Sequence, residues 1–530
     1  MDTYDFVIVG AGSAGCALAN RLSESGRFSV LLLEAGKSSH PYSPVPMGFA
    51  KLLDNPAANW CYESEPEESM AGRALPIPRG KLLGGSSAIN GLVFVRGQAL
   101  DYDTWAQLGN RGWSFDDVLP VFRRMEHYEQ GADELRAHGG PLRVREVPDQ
   151  NPLYDALFAA GEEVGLPRNR DYNGADQEGM CKTQTTISNG RRMSTAHCYL
   201  RPARARKNLR VISEAATQTL VLEGKRCVGV SYRRRGDVSQ VRAAREVILC
   251  AGAINSPQLL ELSGIGEPGL LSEHGIDVVH PLPGVGENLR DHLSPRLGWT
   301  LTSADASYNA RARGVGLLWQ MLRYATTRDG FLSLPSAPML AFVKTREGLA
   351  TPDVQLHFMP YTYNSKQQLH ELPGMTAVIY QMRPESVGSI HIRSSSAQQA
   401  PAVNFNFLAN ELDRRTTIDS VQWTRKIVNA SAMESIRGRE FKPGPDVQTD
   451  DEILDWVRRT AETAYHPVGT CKMGSDPRAV VDERLRVHGL AGLRVADGSI
   501  MPTLVSGNTN GACIMIGERC SDFVLEAHAA

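Results

Sequence analysis

Residues 5–15 read Asp-Phe-Val-Ile-Val-Gly-Ala-Gly-Ser-Ala-Gly, and residues 31–36 read Leu-Leu-Leu-Glu-Ala-Gly. A β-branched run, Val7 to Val9, meets the spacing G-x-G-x-x-G. A helical stretch follows, and a second apolar run stops at an acid. Each part has a physical task. Gly10 permits a tight strand-to-helix turn, Gly12 lets the backbone approach a pyrophosphate, and Gly15 lets helix and strand pack closely. The helix that opens at Ser13 and Ala14 offers unpaired N–H groups and partial positive charge to phosphates. Glu34, at the end of the second strand, can accept hydrogen bonds from both ribose hydroxyls of an adenosine. An acid there, not an arginine, predicts an unphosphorylated ribose, hence NAD or FAD and not NADP. The fingerprint does not choose between those two.

At 530 residues the chain exceeds one compact core and is expected to form at least two domains. A formal charge of −2 gives no basic field for nucleic acid. No apolar stretch reaches the roughly 20 residues of a transmembrane helix. The nine cysteines contain no C-x-x-C pair, so they read as reduced, small hydrophobes without disulfide or metal roles. With the fingerprint starting at Tyr4, no cleavable leader fits ahead of it. The expectation is a cytoplasmic enzyme, with loose attachment to a membrane surface left open.

The rest of the chain divides by pattern. A glycine-serine loop at 84–91 precedes an apolar stretch, which suits close approach of backbone to a flat ring or a phosphate. Residues 105–128 carry a helical period. Arginines and a lysine at 191–207 read as a solvated face. Short strands at 209–212, 219–222, 227–230 and 247–250 lead to the turn Ala251-Gly252 and a helix with Pro257 near its first turn. This predicts a nucleotide domain over 1–298 built from separated segments, with substrate-side insertions near 142–200. Residues 299–460 alternate like antiparallel strands around a helical segment at 315–323, and predict a substrate domain. Residues 461–530 return to the first domain. They carry Tyr465-His466-Pro467, a strand ending at Asp497, and the loop Asn508-Thr509-Asn510 before a final helix.

Residues 80–103, 252–266, 465–467 and 508–510 together resemble the glucose-methanol-choline (GMC) oxidoreductases. That resemblance implies FAD. It also implies an α/β fold: a Rossmann-like FAD domain with a second α+β substrate domain built on an antiparallel sheet. It implies His466 as the base that takes the alcohol proton and Asn510 as the residue that orients the hydroxyl. The flavin site it implies comprises Gly10, Gly12, Ser13, Ala14, Gly15, Glu34, Ala35, Trp60, Gly84, Gly85, Ser86, Asn90, Gly91, Val93, Thr217, Ala251, Gly252, Tyr465, Asp497, Asn508 and Thr509. His357 aligns loosely with a pocket histidine of some members. Where certain members attach flavin through a histidine this chain has Ile89, so the FAD is expected to be non-covalent. Residues 171–174 and 199–202 resemble the bacterial alcohol dehydrogenases most, L-sorbose dehydrogenase among them. The expected reaction is oxidation of a polyol or primary alcohol, with electrons passing to a quinone-type acceptor. An oxygen-using oxidase and a non-redox flavin lyase are the alternatives.

Overall fold

The computed structural model describes residues 1–364 and 368–529. Its first sheet is the nucleotide sheet. Strand Thr3–Val9 lies between Val30–Leu33 and Asp237–Leu249, with Leu209–Ile212 beyond Val30–Leu33, all parallel. Val7 stands opposite both Leu31 and Val247. Residues 6–9 and 30–33 are buried on both faces, which is why they read as unbroken apolar runs and not as alternation. Asp237–Leu249 is long enough to serve two partners. Its first half pairs antiparallel with Arg226–Arg234, and its last residues pair parallel with Leu493–Val495 from the far end of the chain.

The fingerprint helix Ser13–Glu24 packs against the C-terminal helix Asn510–Ala527. The approach is close: a Cβ on Gly517 would sit 2.4 Å from the Ala14 carbonyl oxygen. Arg21 Nε donates to the fully buried Glu518 at 2.9 Å, and Arg124 Nε donates to the same oxygen at 2.9 Å. Removing one partner of such a buried pair would leave an uncompensated charge.

The second sheet is antiparallel, in the order Arg437–Lys442, Arg296–Leu301, Gly374–Gln381, Val354–Met359, Met339–Val343, Gly179–Lys182. Its two faces divide by the two-residue period of strands. Leu356, Phe358, Ala377 and Ile379 join the core beneath helices Pro152–Glu163, Glu411–Val428 and Asp450–Thr460. His357, Met359, Val378 and Tyr380 turn the other way and wall a cavity.

Three expectations change. A boundary at 298 falls inside the strand Arg296–Leu301; Gly179–Lys182, within the substrate-side insertion expected near 142–200, pairs in the second sheet. The helical run at 105–128 is two helices, Ala99–Gln107 and Phe115–Met125. Gly109 and Gly112, at φ of +98° and +82°, reverse the chain between them, and Ser114 caps the second helix by accepting from Asp117 N–H. The segment at 315–323 extends to a helix over Gly314–Thr327.

Candidate active site

A cavity of about 1580 Å³ runs between the two sheets. That exceeds the usual 300–1,000 Å³ ligand pocket and has room for a dinucleotide and a small substrate together. At its nucleotide end the chain needs glycine. Gly10 has φ of +99°, and a Cβ there would lie 2.5 Å from the Cys250 carbonyl oxygen. Gly85 has φ of +52°, and its Cβ would meet Gly12 Cα at 2.7 Å. Both loops are thereby pressed against the mouth of the fingerprint turn.

Nearly all the expected flavin-site residues line this cavity: Gly10, Gly12, Ser13, Ala14, Glu34, Ala35, Trp60, Gly85, Ser86, Asn90, Gly91, Val93, Thr217, Ala251, Gly252, Tyr465, Asp497, Asn508 and Thr509. Gly15 and Gly84 do not. Gly15 is a packing residue, since a Cβ would fall 2.0 Å from the Gly10 carbonyl oxygen. Gly84, at φ of +97°, shapes the loop while its N–H donates to the Ala11 carbonyl at 2.7 Å.

Glu34 accepts from Ala11 N–H at 3.0 Å and from Gly36 N–H at 2.8 Å, and burial pushes its carboxyl up to about 7. Asp497 lines the cavity with its carboxylate engaged by the protein. Its oxygens already accept from Gly252 N–H at 2.8 Å, Ser256 Oγ at 2.6 Å and Ser499 N–H at 2.8 Å, so it fixes the Ala251-Gly252 turn.

The reactive end is built by strand pairing. Leu293 stands opposite Thr463, and Arg290 bridges Val468, so residues 290–294 and 462–468 run antiparallel, side by side. That register sets His292 beside His466. Tyr465 holds a left-handed φ of +66°, costly for a residue with a Cβ, and Arg79 donates to its carbonyl. The Asp291 carboxylate accepts from both His466 N–H at 2.8 Å and His292 N–H at 2.7 Å, and burial raises it to about 7.

The hydrogen bonds assign the protons. His292 Nε2 lies 2.8 Å from the Met382 carbonyl, which can only accept, so Nε2 carries the proton and Nδ1 a lone pair. His466 Nδ1, 3.0 Å from His292 Nδ1, is therefore the donor. His466 Nε2 is left with a lone pair, which accepts from Asn508 Nδ2 at 3.1 Å. The other side of Asn508 is fixed as well: its Oδ1 accepts from Gln355 Nε2 at 3.3 Å. Gln355 Oε1 accepts from Tyr380 Oη at 2.7 Å, and His357 Nε2 lies 3.1 Å from that hydroxyl. Tyr380 stacks on His292 at 4.5 Å. Burial holds the His292 and His357 imidazoles down, to about 4 and about 3, and His466 well below the ordinary histidine value. Nearby His292, Arg79 and His357 add to the effect at His466. All three rings are neutral at pH 7.

One expected residue is misplaced. Asn510 is not the neighbour of His466: its Oδ1 accepts from Ser13 Oγ at 2.7 Å, at the fingerprint helix. Asn508 holds the position beside the imidazole. Asn510 is the first residue of the C-terminal helix and Asn508 lies in the loop before it. The reading of the sequence also passed over Asp291, His292, Gln355 and Tyr380. An Asp-His pair close to the domain crossing was the available signal.

The residues present fit a flavin dinucleotide. No side chain caps the first turn of the fingerprint helix, and Thr217 Oγ is buried at the nucleotide end without any partner. A parallel nucleotide sheet, an antiparallel cavity sheet and a neutral imidazole where they meet define a flavin-dependent oxidoreductase. The chain belongs to the GMC oxidoreductases: the family's N-terminal model matches residues 4–294 and its C-terminal model residues 384–517. FAD is the cofactor of this architecture.

An oxygen-dependent choline dehydrogenase of Brucella suis biovar 1 is 45% identical over 534 residues, covering 98% of this chain and 95% of that protein. Its Vibrio vulnificus counterpart is 42% identical over 532 residues, covering 98% and 94%. Among solved structures, pyridoxine 4-oxidase from Mesorbium loti aligns with a TM-score of 0.88 at 30% identity, covering 99% of each chain. A formate oxidase variant of Aspergillus oryzae aligns at 0.93 and 26%, covering 100% and 99%. These relatives are choline dehydrogenases and oxidases, so the narrower likeness to L-sorbose dehydrogenase is not carried forward.

Proposed function

We propose that the chain oxidises an uncharged alcohol with an apolar body to its carbonyl compound, using non-covalent FAD. The observation that supports this most is the lone pair of His466 Nε2, held in the cavity by a single amide donor, Asn508. When bound, FAD supplies the acceptor for the hydrogen that leaves carbon with its electron pair.

The protein's share is the proton. An incoming hydroxyl displaces the Asn508 N–H from His466 Nε2 and donates to the same lone pair. The freed amide then turns to the alcohol oxygen and stabilises negative charge as it develops there. His466 takes the proton at Nε2 while its Nδ1–H stays on His292. The Asn508 amide donates without competing for that proton.

The cavity lining supports a neutral substrate. Its carboxylates are Glu34 and Asp497 in the nucleotide-side loops and Glu371, which is paired with Arg313. The guanidinium group that acts on His466, Arg79, makes a poor neighbour for a quaternary ammonium. Val93, Phe331, Met359 and Tyr361 supply apolar wall, which disfavours a polyol. Choline is the second reading, favoured by the names of the relatives. Those names also favour oxygen over a quinone as the acceptor.

Anaerobic titration of the FAD-loaded protein tests both points. Bleaching of the flavin band by benzyl or medium-chain alcohols and not by choline is the expected result. Choline-only bleaching would replace the substrate reading, and no bleaching by any alcohol would remove the redox reading. Rapid recovery of colour in air would identify oxygen as the acceptor.

A further inference from the structure

The helix Gly314–Thr327 buries only Gln320 and Tyr324. Val315 is 83% exposed, Leu318 64%, Trp319 63%, Met321 51% and Leu322 54%. Val315, Leu318, Trp319 and Leu322 follow the i, i+3, i+4, i+7 spacing and so form one continuous outward face. A soluble surface seldom presents so much contiguous apolar area without a partner.

Four arginines stand beside this face, against Asp329 and Glu371, each of which pairs with one of them. Residues 306–328 include Arg311, Arg313, Arg323 and Arg328 and contain no aspartate or glutamate. Arg313 pairs with Glu371 at 3.1 Å and Arg323 with Asp329 at 2.5 Å. Arg311 donates to the Ser307 and Asp305 carbonyls and lies 4.6 Å over the Tyr308 ring, and Arg328 lies 5.1 Å over Tyr324. Among the described residues neither Arg311 nor Arg328 forms a close ion pair, and Arg311 is near enough to Asp149 to favour its charged form.

We propose that this helix docks the protein on a bilayer surface rich in anionic lipid, lying in the plane of the headgroups. An apolar face carrying a tryptophan, beside arginines that outnumber the acids paired with them, is the composition such a surface selects. A second copy of the chain fits less well, because two-fold pairing would set one arginine collar against the other. The helix lies on the membrane and does not cross it: 14 residues span about 21 Å, and no described helix is long and apolar enough to cross a membrane. Its inner side explains the location. Leu317, Met321 and Tyr324 line the catalytic cavity, so docking turns the mouth of that cavity toward the lipid. The proposal stands whichever alcohol is the substrate.

The test is flotation of the full-length, FAD-loaded protein with vesicles of phosphatidylcholine alone or mixed with phosphatidylglycerol. The wild-type chain is expected to float with the mixed vesicles and to be released by salt. The double substitution Leu318→Glu/Trp319→Glu is expected to lower binding by about tenfold or more, with flavin absorbance and dye-linked turnover of soluble alcohols unchanged. Val238→Glu, at an exposed apolar position on a nucleotide-sheet strand, serves as control and is expected to bind as wild type. Three results overturn the proposal. They are absence of vesicle binding, equal binding by the double variant, and a concentration-dependent dimer in sedimentation that the double variant abolishes, which would assign the face to a second copy.

Discussion

His292 and His466 meet Nδ1 to Nδ1 at 3.0 Å, with their rings at 88° to one another. One proton serves that contact, and the Met382 carbonyl on the far side of His292 decides that His466 carries it. Replacing His292 by Leu leaves the buried His466 Nδ1–H without an acceptor, at a cost of about 1–3 kcal/mol. The His292→Leu variant is expected to keep its flavin and to lose about tenfold or more in the rate of flavin reduction by alcohol. Its pH profile carries the distinguishing signal. His292 is one of the groups that depress His466, so its loss is expected to move the acid limb of kcat/KM to higher pH. A merely structural defect would lower the rate and leave the limb in place.

His466 itself is the sharper test. Burial holds its imidazole well below the ordinary value of 6.5, so the base form is complete at neutral pH. The wild-type enzyme is therefore expected to show a level kcat/KM from neutral pH upward, falling only below 6.5 as Nε2 is protonated. His466→Ala is expected to slow anaerobic flavin reduction by about 10²–10⁴-fold, the usual contribution of a general base, with the FAD spectrum retained. Near-normal reduction by that variant would remove His466 from the base role.

Asn508 and Asn510 separate reaction from cofactor binding. Asn508→Ala is expected to slow flavin reduction, because His466 Nε2 loses its hydrogen-bond donor and the alcohol oxygen loses its stabilising amide. Asn510→Ala breaks the contact to Ser13 Oγ and is expected to weaken FAD retention while leaving the reduction rate of the loaded enzyme within about twofold. Rapid-mixing rates and FAD content after gel filtration read the two effects independently. The reverse pattern would restore Asn510 to the position beside the substrate.

That pair also shows where the sequence stops being legible. The run 7–9, the glycines and Glu34 are local signals. Each acts through its own backbone or its next turn, so the nucleotide sheet and its loops can be read from the residues directly. The choice between Asn508 and Asn510 depends on where the last helix begins, and helix boundaries are the least certain part of any sequence reading. His292 depends on more. It reaches His466 only through the register of residues 290–294 against 462–468, a contact 174 positions apart that no local pattern encodes. Gln355 and His357 alternate along a visible strand, yet which face met the cavity followed from the packing of three helices on the other side.

His357 gives a stability prediction with a definite sign. Its imidazole is buried and held at about 3, against 6.5 in the unfolded chain. The unfolded state therefore binds the extra proton between those values. Stability that rests on neutral His357 is present in full above 6.5 and is lost as pH falls below it. His357→Gln has no proton to gain. The stability advantage of wild type over this variant is expected to shrink by about 2 kcal/mol between pH 7.5 and pH 5, at 1.36 kcal/mol per pH unit below 6.5. Asp291, raised to about 7, acts in the opposite direction but is common to both proteins and drops out of the comparison. Denaturant melts of the two proteins at both pH values supply the four numbers. A pH-independent difference would mean that His357 takes up its proton without unfolding.

The flavin linkage rests on which nucleophiles the cavity offers. The loop that could present a histidine to the flavin presents Ile89, an apolar side chain only 2% exposed that lines the cavity. The thiols along the wall are Cys250 and Cys513. Burial pushes Cys513 up to about 12 and Cys250 well above its ordinary value, so both are protonated, and a thiol in that form is a poor nucleophile. His466 Nδ1 is occupied by His292, and its Nε2 by Asn508. Acid precipitation of the yellow protein is therefore expected to leave a colourless pellet, with all the FAD in the supernatant. Substituting Ile89→His would restore a nucleophile to the loop, and a fraction of flavin that then stays with the pellet would show that this residue, and not the surrounding fold, keeps the cofactor dissociable. Yellow colour in the wild-type pellet would instead require a bond from one of the side chains that the hydrogen-bond and pKa arguments leave unreactive.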